Sequence, residues 1–151
     1  MAELLFYQLT IKPLERALPE LLERSLERGW RCVVRTGSAE RVKDLDTLLW
    51  TWRDDSFLPH GSRGSSEGDQ QPIWITDNEV DNPNEAQALF LVDGMRVSQV
   101  NGYERCAVLF DGCNETMVVG AREDWRTARE GKQKTVYWLQ NEAGRWEKGS
   151  Q

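Results

Sequence analysis

Trp30-Arg31-Cys32-Val33-Val34-Arg35-Thr36-Gly37-Ser38-Ala39-Glu40-Arg41-Val42 is the stretch from which the fold can be read. Residues 30–35 are apolar and rich in β-branched side chains at their centre, which suits a buried strand. Gly37-Ser38 supplies a turn and a capping hydroxyl. After it, Val42, Leu45, Leu48, Leu49 and Trp52 recur at helical spacing, predicting a helix over 39–52. Upstream, residues 4–9 (Leu-Leu-Phe-Tyr-Gln-Leu) form a second apolar run. Pro13 suits a first helical turn, and Leu14, Leu18, Leu21, Leu22, Ser25 and Leu26 share one helical face that stops at Gly29. Strand, helix, strand, helix favours a parallel sheet with right-handed crossovers.

Downstream, residues 72–76, 88–92 and 105–110 read as further strands, with turns at Asp77-Asn78, Asp93-Gly94 and Asp111-Gly112. Residues 81–84 are a polar connection too short for a crossover helix. Asn114 is a good cap for a helix running to about Glu130 and ended by Gly131, and 136–140 is a last strand. A turn over 141–144 then brings Trp146 back toward the sheet. The expected fold class is α/β: one three-layer α/β/α domain over 1–151, with a mainly parallel, Rossmann-like twisted sheet. Residues 61–71, rich in Gly, Ser and charge between Pro59 and Pro72, are expected to be a mobile loop.

At 151 residues, 39% hydrophobic and 29% charged, the chain fits one domain burying roughly 70% of its unfolded surface. It holds no apolar run near the ~20 residues of a membrane span, and Met1-Ala2-Glu3 opens no signal peptide, so a cytoplasmic location is expected. Cys32, Cys106 and Cys113 are spaced for neither a metal knuckle nor an even set of disulfides. His60 is the sole histidine, so no metal and no cofactor are expected. Neither Gly-x-x-x-x-Gly-Lys-Ser/Thr nor Gly-x-Gly-x-x-Gly occurs, so the sheet lacks a nucleotide-binding loop. An enzyme built on Asp54, Asp55 and His60 is the weaker reading.

The net charge of −6 opposes phosphate-backbone binding as the main activity. Five cations against three anions nevertheless leave residues 122–134 at +2, so the rest of the chain carries −8. Within that segment Arg122, Trp125, Arg126 and Arg129 stand at i, i+3, i+4 and i+7, one stripe of three guanidiniums and an indole. A solvated basic face near a helix C-terminus is the plain reading, since the macrodipole favours cations there. A receptor for an acidic, apolar-ended peptide is the sharper one, because the planar guanidinium fork binds carboxylates with two bonds. A second candidate surface surrounds Trp50 and Trp52. Residues two apart on a helix cannot both face one core, so at least one of these rings lies near the surface.

The run Leu49-Trp50 followed by Ser56-Phe57-Leu58-Pro59-His60 and a Gly-rich segment closely resembles the chi subunit of bacterial DNA polymerase III. The resemblance extends to Leu5-Phe6-Tyr7-Gln8-Leu9, Arg31-Cys32-Val33-Val34, Leu45-Asp46 and the helix with Arg122, Trp125, Arg126 and Arg129. It implies a non-catalytic replication adaptor whose last helix binds the acidic C-terminal tail of single-stranded DNA-binding protein. Arg122 would anchor the tail's terminal carboxylate, Trp125 its aromatic ring, and Arg126 and Arg129 the upstream acids. Val118 stands where some relatives carry a basic residue, and Lys132 and Lys134 could supply that charge instead. The resemblance also implies that Trp50, Trp52, Phe57, Leu58 and Pro59 meet the psi subunit of the clamp-loader complex, or alternatively a repair helicase. The chain would then be a monomer or heterodimer that touches DNA only through its partners.

Overall fold

The computed structural model describes residues 3–51, 61–62, 72–78, 82, 84–98, 100 and 102–149. Three helices and eight strands follow in the order β1 (Glu3–Leu9), α1 (Leu14–Glu27), β2 (Cys32–Arg35), α2 (Ala39–Thr51), β3 (Gly61–Ser62), β4 (Ile73–Thr76), β5 (Ala88–Leu91), β6 (Arg105–Asp111), α3 (Glu115–Glu130), β7 (Thr135–Gln140) and β8 (Trp146–Lys148), counted among the described residues. The sheet order is β3-β4-β2-β5-β6-β1-β7-β8. Every pairing is parallel except the β7–β8 hairpin at one edge.

The two faces of the sheet build separate cores. On one, Leu18, Leu21 and Leu22 of α1 and Val42, Leu45 and Leu49 of α2 cover Cys32, Val34, Ile75, Phe90 and Leu109. On the other, Ala121 and Ala128 of α3 cover Phe6, Leu89, Val108, Phe110 and Tyr137, together with Ala86 and Tyr103 from the connections. This is the three-layer α/β/α arrangement expected from the strand and helix order. Both faces are covered, so the central strands read as continuous apolar runs with little alternation.

Local signals act as expected. The Ser38 Oγ accepts from the Arg41 N–H at 3.2 Å, and the Asn114 side chain accepts from the Met117 N–H at 3.1 Å. Gly29 leaves α1 at φ +80°, and Asp93-Gly94 turns with both φ angles positive. At the end of α3 the left-handed residue is Lys132 at φ 56°, whereas Gly131 keeps a negative φ. Two short strands go beyond the sequence reading. Gly61–Ser62 pairs with Trp74–Ile75 at the start of the expected loop, and Trp146–Lys148 extends the sheet past β7. The remainder of that loop, 63–71, lies outside the described residues. No helix among the described residues is long and apolar enough to cross a membrane.

Candidate functional site

Strand β1 lies between β6 and β7. Its connection leaves by α1 on one face while that of β6 leaves by α3 on the other. Such a switch point is where open α/β sheets receive ligands. A crevice of about 390 Å³ occupies it, lined among others by Thr10, Lys12, Glu15, Arg41, Asp93 and Asp111. Several of its groups are engaged from within the chain. The N–H groups of Thr10, Ile11 and Lys12, which follow β1 where a phosphate cradle would stand, all donate to Gln140 Oε1 at 2.9, 2.9 and 3.0 Å. Arg41 grips Asp93 with two bonds of 2.9 and 3.0 Å, the Thr36 hydroxyl donates to the same carboxylate, and Lys12 meets Glu20 at 3.1 Å.

The arginine stripe of α3 borders a different depression, between that helix and β7. A groove of about 180 Å³ is lined by Trp125, Arg129, Thr135, Val136, Tyr137, Lys148 and Gly149. Trp125 packs one edge on the core, and Arg129 stacks over its ring with 4.9 Å from Cζ to the centroid. Tyr137 floors the groove, and its hydroxyl donates to Gln8 Oε1 at 2.5 Å. Burial pushes the Tyr137 phenol above its ordinary value, opposed by the hydrogen bond and charge of Arg122 beside it. Gly149 permits the close approach of β8: a Cβ there would sit 3.2 Å from Tyr137 Cδ1 and 3.3 Å from Leu139 Cδ1.

Two acids of α3, Glu123 and Asp124, are drawn to the other side. Asp124 holds Arg96 at 3.0 and 2.9 Å and accepts the Val97 N–H at 2.9 Å, while Glu123 reaches Arg96 at 3.2 Å. The exposed guanidiniums of Arg122, Arg126 and Arg129 therefore keep their positive field. Of the residues expected at this site, Trp125 and Arg129 line the groove and Arg122 reaches its floor through Tyr137. Arg126 and Lys132 are exposed on the same end of α3 without lining it, and Lys134 is tied to Glu3 at 2.9 Å. Val118 packs partly against the core. Sequence reasoning missed Tyr137, Lys148 and Gly149, having read the helix stripe without its neighbour. The period-two pattern of 136–140 was the available signal, since it turns Tyr137 and Trp138 to opposite faces.

On α2, Leu49 is buried and Trp50 is 53% exposed, in keeping with the expectation that at least one of Trp50 and Trp52 lies near the surface. Trp52, Phe57, Leu58 and Pro59, expected beside it, lie outside the described residues, as do Asp54, Asp55 and His60. Cys32 and Cys106 are buried and free, and burial pushes each thiol up to about 12. Among the described residues no group of three His, Cys, Asp or Glu is placed to hold a metal ion.

The sheet is Rossmann-like, the backbone donors at its switch point are taken by Gln140, and a smaller basic aromatic groove opens beside α3, so an enzyme-like fold stands here without a free phosphate cradle. Residues 1–135 match the family described as DNA polymerase III chi subunit, HolC, and the chain belongs to that family. It is 29% identical over 140 residues to a protein of Rickettsia prowazekii (strain Madrid E) named "Probable DNA polymerase III subunit chi", covering 88% of this chain and 83% of that one. A chi subunit is an accessory subunit of the replicative polymerase with no catalytic role of its own, and membership in that complex implies protein partners.

Proposed function

We propose that this chi-family chain is a replication adaptor that binds the acidic C-terminal tail of single-stranded DNA-binding protein in the groove between α3 and β7. The observation that carries the reading is the convergence of Arg122, Trp125, Arg129 and Lys148 around Tyr137. A terminal carboxylate takes two bonds from Arg122, an aromatic side chain lies against Trp125 and Tyr137, and upstream acids meet Arg126, Arg129 and Lys132. At about 180 Å³ the groove suits one side chain of a peptide rather than a nucleotide. The exposed Trp50 on α2 supports a second contact, to the psi subunit of the clamp-loader complex, made with Trp52, Phe57, Leu58 and Pro59. Two modest contacts in one assembly then hold the tail far better than either alone.

Fluorescence anisotropy of a labelled tail peptide, titrated with the chain, tests this. Arg122→Ala is expected to weaken binding by roughly 1.5–3 kcal/mol, the scale of a charge-assisted hydrogen bond, with a further loss as salt rises. Unchanged affinity in that variant would remove Arg122 from the site. Absence of binding by the unmodified chain would remove the tail as ligand.

A further inference from the structure

On the opposite face of the sheet, beneath the C-terminal half of α1, Ala88 and Ala107 stand on adjacent strands where bulkier residues would fill the space. Leu21 and Phe90 complete an apolar slot of about 270 Å³. Its mouth is ringed by Arg24 in the last turn of α1, by Arg28 just past that helix, and by Arg105 at the start of β6. Arg28 and Arg105 both lie over the Trp30 ring, at 4.8 and 5.1 Å, which holds two of the three guanidiniums in place. Among the described residues Arg105 meets Glu3 at 3.5 Å, whereas Arg24 and Arg28 make no ion pair. Three cations ring an apolar slot on a chain of net charge −6, one of them shared with Glu3, and form a local positive field. Burial raises the Tyr7 phenol; Arg105, Arg24 and Arg28 oppose that rise and Glu3 adds to it, so one side chain senses all three cations.

We propose that this slot is a second peptide site, which takes an apolar side chain from an acidic segment of a protein partner and pairs the neighbouring carboxylates with Arg24, Arg28 and Arg105. The slot alone falls below the ~300–1,000 Å³ of sites for drug-sized ligands, a volume that fits one side chain. A path for the rest of the segment exists. Tyr7 and Arg24 also line a shallower groove of about 480 Å³ that continues past Lys12, Glu20, Trp146 and Arg145. A protein segment fits better than a nucleic acid. The Trp138 and Trp146 rings there already pack on Tyr7, stacked at 6.3 Å and edge-on at 5.0 Å, so they are spent within the fold and not offered to bases.

The test is an NMR titration of the full chain, labelled with ¹⁵N, using a synthetic peptide of aspartates and glutamates around one phenylalanine, amidated at its C-terminus. Amidation withholds the terminal carboxylate that the α3 groove is proposed to anchor, so the two sites respond separately. Amide shifts at Ala88, Arg105 and Ala107 are expected. The double change Arg24→Glu and Arg28→Glu, at exposed positions, should weaken that binding roughly 10–100-fold. Ala107→Leu, which fills the slot and keeps the charges, should weaken it too, and Arg122→Ala should leave it unchanged. Shifts confined to Trp125 and Tyr137, no shift at the slot, or no loss of binding in the Arg24→Glu, Arg28→Glu chain would overturn the proposal. An equal or stronger response of the slot to an oligothymidylate would also overturn it, in favour of a nucleic-acid surface.

Discussion

Three consecutive backbone N–H groups, at residues 10–12, share one acceptor, and Gln140 supplies it from 128 to 130 positions away. This one amide oxygen closes the place where a Rossmann-like sheet would cradle phosphate, and it ties the start of α1 to the end of β7. Its Nε2 is buried with no hydrogen-bond partner among the described residues, so the value of the side chain lies in the oxygen. Gln140→Ala hands three donors at the surface to water and is expected to lower stability by about 1 kcal/mol in urea denaturation. Gln140→Glu keeps an acceptor in the nest and should cost less than the alanine change; an equal cost would show that the three bonds contribute nothing beyond packing. Nothing in the sequence pointed to Gln140, because a contact across 130 residues has no local pattern. The spacing of Trp50 and Trp52 by contrast called for at least one exposed ring, and Trp50 is exposed.

At the scale of the element, α3 does two jobs with two faces. Asp124 and Glu123 take Arg96 and fasten the 94–98 segment, while Trp125 and Arg129 of the stripe face β7. Both faces could be read from i, i+3, i+4 spacing, and so could the start of the helix at Asn114. The alternation of 136–140 separates Tyr137 from Trp138, but that this strand floors the groove could not be read, because which strand lies beside a helix is set by sheet order. Here β7 adds to the far side of β1, a non-local choice that spacing does not encode. The short strands β3 and β8 escaped for another reason: two or three residues are too few to show a period. The cap makes a prediction that belongs to the helix as a unit. Asn114→Ala removes the acceptor for the Met117 N–H and should cost about 1 kcal/mol by thermal or urea unfolding. Tail affinity should stay unchanged, because the stripe begins two turns further on. Loss of affinity in step with stability would mean that the first turn shapes the groove.

At the scale of the whole molecule, the sheet separates two cores, and each holds one buried thiol, Cys32 on the α1–α2 side and Cys106 on the α3 side. Cys113, after β6, is exposed. A thiol-specific reagent should therefore label one cysteine promptly in the native chain and the other two only at the rate of unfolding. The same burial gives stability a pH dependence whose sign is fixed. Each buried thiol is raised from 9.0 to about 12 on folding, so the native chain keeps a proton that the unfolded chain releases. The stability this represents is intact below pH 9 and is lost as pH climbs from 9 toward 12, at about 1.4 kcal/mol per pH unit for each thiol. Cys106→Ala deletes one of the two contributions. Over that window, urea denaturation should show the unmodified chain losing stability more steeply than the variant by that same slope, about 1.4 kcal/mol per pH unit. Parallel slopes would mean that Cys106 ionises without leaving its core, and that the α3 face opens to hydroxide without global unfolding.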